Sequence, residues 1–155
     1  MLSEIKADLN RYIGRDRGII SFIGVLLFET GFQCTLFYRV SFELARMVRA
    51  KTWLRKPYNY FMRFFFNCEI SLDSVIGGGL YLPHPLGIVI GGNSRVGLNC
   101  TIYQMVTLGR LDLLVPEYPT IGNNVTICKG ASVLGAVVVG EGSTINLDRK
   151  VFVKE

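Results

Sequence analysis

The chain has 155 residues, half of them apolar, with 17 Lys or Arg against 12 Asp or Glu. That length suits one domain with at most a small appendage, and the apolar share excludes global disorder. The positive excess is confined to one end: residues 1–67 hold eleven cations and five anions, residues 68–155 six and seven.

This asymmetry implies two regions, 1–67 and 68–155, with different roles. The first reads as helical. Helix-compatible stretches run from Ser3 to Ile13, Gly18 to Glu29, Gly31 to Ala50 and Pro57 to Phe66. Ser3 is a candidate N-cap, and Gly14, Gly31 and Pro57 mark breaks. The apolar run Ile19–Phe28 is about half the roughly twenty residues that a bilayer crossing needs. Met1–Asp8 is acidic and lacks an early apolar stretch, so no secretory signal is expected.

Between Arg39 and Arg63 lie seven cations and one anion, Glu43, interleaved with Trp53, Tyr58, Tyr60 and a run of phenylalanines. Two readings stand. Residues 39–66 could lie on an anionic membrane surface at its inner face, or the aromatics are core and the cations solvate the outer side. Nucleic acid is not an expected partner, because the second region is near neutral and no reading motif occurs. Cys34, Cys68, Cys100 and Cys128 form no CxxC pair or Cys/His cluster. No metal site is expected, and scattered cysteines suit a reducing cytoplasm as small apolar fillers.

From Ile70 onward aliphatic residues recur every six positions. One frame runs Ile70, Ile76, Leu82, Ile88; a second, shifted by two, runs Ile90, Val96, Ile102, Leu108; a third runs Ile121, Ile127, Val133, Val139, Ile145. Small or apolar residues follow four later, as at Ser74, Ser94, Cys100, Val125 and Ala131. Hexad periodicity predicts a parallel β-helix, with Gly77, Gly91, Asn93, Gly97, Asn99, Gly122 and Asn123 supplying turns that need positive φ. The interruption at residues 110–119 carries Leu111, Leu113, Leu114 and Val115, which a lone loop cannot bury, so it is expected to pack on a neighbouring subunit. After Ile145 the repeat is expected to stop and the charged tail to cap the sheet edge.

The only histidine, His84, lies inside this repeat in Leu82-Pro83-His84-Pro85-Leu86-Gly87. Histidine is the one side chain whose unperturbed pKa suits proton exchange near neutrality.

Ile76-Gly77 with Gly79-Leu80, then Leu82-x-His84-x-x-Gly87-Ile88-Val89-Ile90-Gly91, Ile102-x-Gln104-x-Val106-Thr107-Leu108-Gly109 and Pro119-x-Ile121-Gly122 resemble the serine O-acetyltransferase family. Gly31-Phe32-Gln33 and Phe37-Tyr38-Arg39-Val40 are similar to its helical region, and colanic acid acetyltransferases share the character. The resemblance implies an α+β fold: a helical N-terminal region followed by a short left-handed β-helix, an exception to the usual crossover hand. It also implies a homotrimer with sites between subunits, acetyl-CoA as co-substrate and no metal.

In the resembled family the residue at His84 is the general base and an acid fifteen positions upstream, here Glu69, orients it; Asp73 is a weaker substitute. Gly109, Arg110, Lys129, Gly130 and Thr144 stand where the family holds the CoA arm. The family's acceptor-binding aspartate is replaced by Pro83, and its loop Arg-His pair by Glu117 and Tyr118. A zwitterion would lose its charge partners there, which favours a neutral sugar hydroxyl, such as that of a lipid-linked sugar in surface polysaccharide synthesis. Serine acetylation, transfer to a sugar amine, and a non-catalytic assembly subunit are the alternatives. The family's further coil and Gly-x-Pro-Ala segment have no counterpart before Glu155.

Overall fold

The computed structural model describes residues 1–13, 18–47, 51–112, 114 and 116–152. Four helices come first: α1 (Leu2–Ile13), α2 (Ile19–Phe28), α3 (Thr30–Met47) and α4 (Lys51–Phe66). Ser3 lies inside α1 rather than capping it. Pro57, expected to break the chain, lies inside α4. An interior proline denies the Trp53 carbonyl its usual N–H donor. The helix persists because Tyr58 and Met62, on its inner stripe, are buried.

The rest of the described chain winds into coils of short strands. The first coil holds β1 (Glu69–Ile70), β2 (Val75–Ile76) and an isolated bridge at Tyr81. The second holds β3 (Val89–Ile90), β4 (Arg95–Val96) and β5 (Thr101–Ile102). The third holds β6 (Thr107–Gly109), β7 (Thr120–Ile121) and β8 (Thr126–Ile127), and the fourth β9 (Ser132–Leu134), β10 (Val138–Val139) and β11 (Thr144–Ile145). A last strand, β12 (Lys150–Phe152), begins a fifth turn.

Strands stack only on their counterparts in the next coil, all parallel, giving three sheets: β1-β3-β6-β9-β12, β2-β4-β7-β10 and β5-β8-β11. The hexad positions point inward as expected: Ile70 through Val139 in all three frames are buried, and Ile145 is half-buried. The tail corrects the expectation that the repeat ends at Ile145. Lys150–Phe152 pairs with Ser132–Leu134, and Val151, six residues after Ile145, packs against the core.

The corners use two devices, a left-handed turn and a close approach of backbone to backbone. Asn93 and Asn99 adopt the left-handed turns expected of them, with φ of 63° and 55°. Gly77, Gly91, Gly97 and Gly122 do not, and Gly77, Gly97 and Gly122 are needed instead for closeness. A Cβ on Gly77 would sit 2.8 Å from the Gly97 carbonyl carbon, and one on Gly97 2.6 Å from that of Gly122. Asn124, not Asn123, takes the left-handed turn in the third coil.

Helices and coils share one core, in which Cys34, Tyr38, Ala45, Tyr58 and Met62 join the β-helix aliphatics. Cys34 and Cys68 meet there, Sγ to Sγ at 3.4 Å, as free thiols. That hydrogen bond, with burial, pushes the Cys34 thiol well above its ordinary range.

Arg39, counted from sequence among the seven cations of an outward basic face on either reading, is instead interior. Its Nε and Nη2 donate to the Asp8 carboxylate at 3.0 and 3.2 Å, and other donors reach the Ile76 and Gly77 carbonyls. Asp8 also accepts the Gly79 and Leu80 N–H groups at 2.7 and 2.8 Å, so one ion pair ties α1 and α3 to the first coil.

The Gly31-Phe32-Gln33 segment has a physical role in this junction. The Gln33 amide donates to the Leu26 and Leu27 carbonyls at 3.0 and 2.9 Å, closing the end of α2. A Cβ on Gly31 would run into the Leu82 carbonyl oxygen. Gly31→Ala is therefore expected to push α3 off the β-helix and cost about 1–3 kcal/mol; urea unfolding would show no loss if the contact were slack.

Candidate active site

The first coil is longer than its neighbour at one corner. Tyr81 stacks on Thr101 and Val89 on Thr107, so eight positions span from Tyr81 to Val89 where six span from Thr101 to Thr107. The two extra residues fall at His84 and Pro85, and they are the physical cause of the two-residue shift between the first and second repeat frames. The excursion throws the His84 side chain into solvent while Leu82 and Ile88 on either side stay buried.

Three features hold this excursion. Pro83 and Pro85, half-buried and buried, fix their own φ angles and donate nothing. The His84 carbonyl accepts the Leu86 N–H at 2.8 Å. The Tyr12 hydroxyl accepts the Leu82 N–H at 2.8 Å and faces the Leu82 carbonyl at 3.4 Å, which anchors the strand leading in. On leaving the corner, the Gly87 N–H bonds the Asn67 carbonyl at 2.7 Å, which brings the start of the β-helix against the histidine corner.

Glu69 begins the sheet two residues after Asn67 and stacks on Val89. Its described partner is Arg63 of α4, whose Nε and Nη2 both donate to Oε2, at 3.1 and 2.7 Å. Arg63 and Glu69 are both exposed enough for water to screen the pair, and such pairs are worth about 0–1 kcal/mol. The pair with Arg63 therefore holds Glu69 only weakly. Asp73 lies at a different corner, between β1 and β2, and is held by Arg55 at 2.6 Å. Arg63 carries no sequence signal for this role.

The other candidates spread over two corners and one face. Gly109 ends β6, and Arg110 follows it with its guanidinium 5.8 Å over the Tyr118 ring. A Cβ on Gly109 would meet only Leu134, at 3.9 Å, so a ligand backbone has room to approach there. Lys129 and Gly130 lie at the same corner as His84, two coils further on; Lys129 is exposed. Gly130 has a turn requirement of its own, with φ of 73° and Asp148 packed where a Cβ would be. Thr144 is exposed and stacks on Thr126 in the third sheet.

Pro116, Tyr118, Arg95 and Asp73 share a cleft of about 290 Å³, whereas Glu117 is exposed. Leu111 and Leu114 of the interruption are exposed, in keeping with a loop that needs a partner, and Leu113 and Val115 lie outside the described residues. Sequence reasoning passed over Gln104 as a site residue, although it stands in the quoted Gln-x-Val-Thr-Leu-Gly motif. It occupies the His84 corner one coil on, where its carbonyl accepts the Gly130 N–H. Its side-chain Oε1 is buried with no hydrogen-bond partner among the described residues.

No family model matches the chain. Over 150 residues it is 32% identical to a serine acetyltransferase of Helicobacter pylori, covering 96% of this chain and 86% of that protein. The chain belongs to the serine acetyltransferase family. A Bacillus subtilis serine acetyltransferase is 32% identical over 142 residues, and of this relative the chain spans only 64%. A solved serine acetyltransferase in complex with CoA superimposes with a TM-score of 0.84 at 26% identity, covering 97% of this chain and 62% of that one. Four helices followed by a parallel three-sheet β-helix, the fold implied by the resemblance, is the fold of these family members. These relatives support the serine acetyltransferase side of the resemblance and not the colanic acid side.

Proposed function

We propose that this chain transfers an acetyl group from acetyl-CoA to a hydroxyl, with His84 as general base. The observation that carries this reading is the two-residue excursion that projects the sole histidine from a β-helix corner in a member of this family. His84 accepts the hydroxyl proton as the acceptor oxygen attacks the thioester carbonyl, and returns it to the departing thiolate. The products are an acetyl ester and a free thiol. Glu69, released from Arg63, fixes the ring tautomer and stabilises the imidazolium. Gly109, with its open flank, and the exposed Lys129 fit a CoA arm; Arg110, Gly130 and Thr144 complete the set carried over from the family. Copies of the chain assemble as a trimer, with Leu111 and Leu114 covered by the neighbour.

Serine is the first acceptor to test, because the relatives are serine acetyltransferases. A second reading, a neutral sugar hydroxyl, is favoured by Pro83, Glu117 and Tyr118. None of them supplies a positive charge for a carboxylate, and Tyr118 offers a ring and a hydroxyl instead. Thiol release from acetyl-CoA, followed with serine and with hexoses, separates the two. If the sugar reading holds, the double variant Pro83→Asp, Glu117→Arg is expected to raise serine turnover about ten-fold or more, because it restores the missing charge partners. Full serine activity in the unmodified chain would remove the sugar reading.

A further inference from the structure

α2 is apolar almost throughout, yet within the chain only Val25 is buried; Ile20 and Phe28 are 83% and 80% exposed. α4 buries the stripe containing Tyr58 and Met62 and turns a second stripe outward, led by Trp53 at 86% exposure. On that outer stripe Tyr60 packs on Phe64 at 5.8 Å and Phe61 on Phe65 at 4.9 Å, and of these Phe61 also meets Phe37 at the margin of the core. Within the chain, Tyr58 is core as one reading of the sequence expects, whereas Trp53, Tyr60, Phe61, Phe64 and Phe65 are exposed. An all-round apolar helix belongs in a large core or in lipid, and a lone soluble chain rarely leaves so extended an apolar surface uncovered.

Charge selects the occupant. Neither α2 nor α4 contains an acidic residue, and α4 carries Lys51, Arg55, Lys56 and Arg63. Asp73 and Glu69 partly compensate Arg55 and Arg63, while Lys56 is exposed. Residues 1–67 keep an excess of six positive charges. A second copy of the chain laid face to face on α4 would set its cations against one another. A bilayer with anionic headgroups accepts the apolar side chains and the cations together, with Trp and Tyr at headgroup level. No single helix among the described residues is long and apolar enough to cross; α2 and α3 reach that length only together, across an 80° bend, and α3 buries Phe32, Cys34, Tyr38 and Ala45 within the protein, which favours contact from the side.

We propose that α2 and the outer aromatic stripe of α4 form a peripheral docking surface for an anionic lipid bilayer. Trp53 is the only tryptophan and lies on that surface, so the protein carries its own reporter. Mixing the full chain with vesicles of phosphatidylcholine and phosphatidylglycerol at low salt is expected to shift its emission to the blue. Brominated lipid should quench it, and the protein should float with the vesicles. Pure phosphatidylcholine should bind it less, and added salt should weaken binding.

Ile20→Glu and Phe64→Glu, both at exposed positions, are each expected to lower the partition coefficient about ten-fold or more. Neither should change thiol release from acetyl-CoA in solution, so this result stands apart from that of the acetyl-transfer reading. Absence of both flotation and emission shift at low salt would overturn the proposal. So would an emission already blue without vesicles in a particle that light scattering sizes as paired through this surface and that Phe64→Glu separates.

Discussion

His84→Ala is expected to lower thiol release from acetyl-CoA by roughly 10²–10⁴-fold, the usual worth of a positioned acid–base group. The side chain is exposed and its neighbours Leu82, Pro85 and Ile88 hold the corner without it, so the fold should be untouched. Calorimetric binding of CoA should therefore persist in the variant, which distinguishes a lost base from a lost site. Retained turnover would remove His84 from the chemistry, because the chain has no second imidazole to take its place. Glu69→Gln offers a graded companion: it keeps the side-chain length but removes the charge that would stabilise the imidazolium.

The largest effect on stability is expected from Asp8→Ala. Removing this carboxylate leaves the Arg39 guanidinium buried without its counter-ion and the Gly79 and Leu80 N–H groups without their acceptor. Breaking one side of a buried pair costs about 3–5 kcal/mol. For a chain of this size that lowers the melting temperature by roughly 10 °C. The double variant Asp8→Leu, Arg39→Met should recover part of the loss, since it no longer buries a lone charge. It cannot recover all of it, because the backbone groups of Ile76, Gly77, Gly79 and Leu80 still lack partners. Calorimetric melting of the three proteins checks both steps, and an unchanged Asp8→Ala midpoint would mean that the pair contributes nothing net.

The β-helix was legible because a large aliphatic meets the core at one position in six and a smaller residue, as at Cys100, Val125 and Ala131, fills the position four later. Departures from the period were legible too. The shift of two between Ile88 and Ile90 marks the His84 excursion, and the break after Leu108 marks the loop that carries Tyr118. Val151 was passed over because charged Asp148, Arg149 and Lys150 mask a hexad position that only the pairing with Val133 reveals. The Asp8–Arg39 pair joins residues 31 apart on different helices, and no periodicity connects them. Arg63 beside Glu69 is likewise a consequence of how α4 enters the first strand. The aromatics of α4 were visible as a composition, but their direction was not. The helix from Pro57 to Phe66 was expected, but Pro57 concealed its continuation back to Lys51, and periodicity alone did not say which face turns inward.

The double contact between the Tyr12 hydroxyl and the Leu82 backbone gives the molecule a fixed bearing. Leu82 stands two residues before His84, and Gly31 of α3 touches the same carbonyl through a gap that admits no side chain. α1 and α3 are thereby held in a fixed relation to the histidine corner. Whatever the helices rest against sets the angle at which an acceptor reaches the imidazole. A substrate tethered to that same support would arrive from one direction only, and its orientation would be chosen before it entered the site.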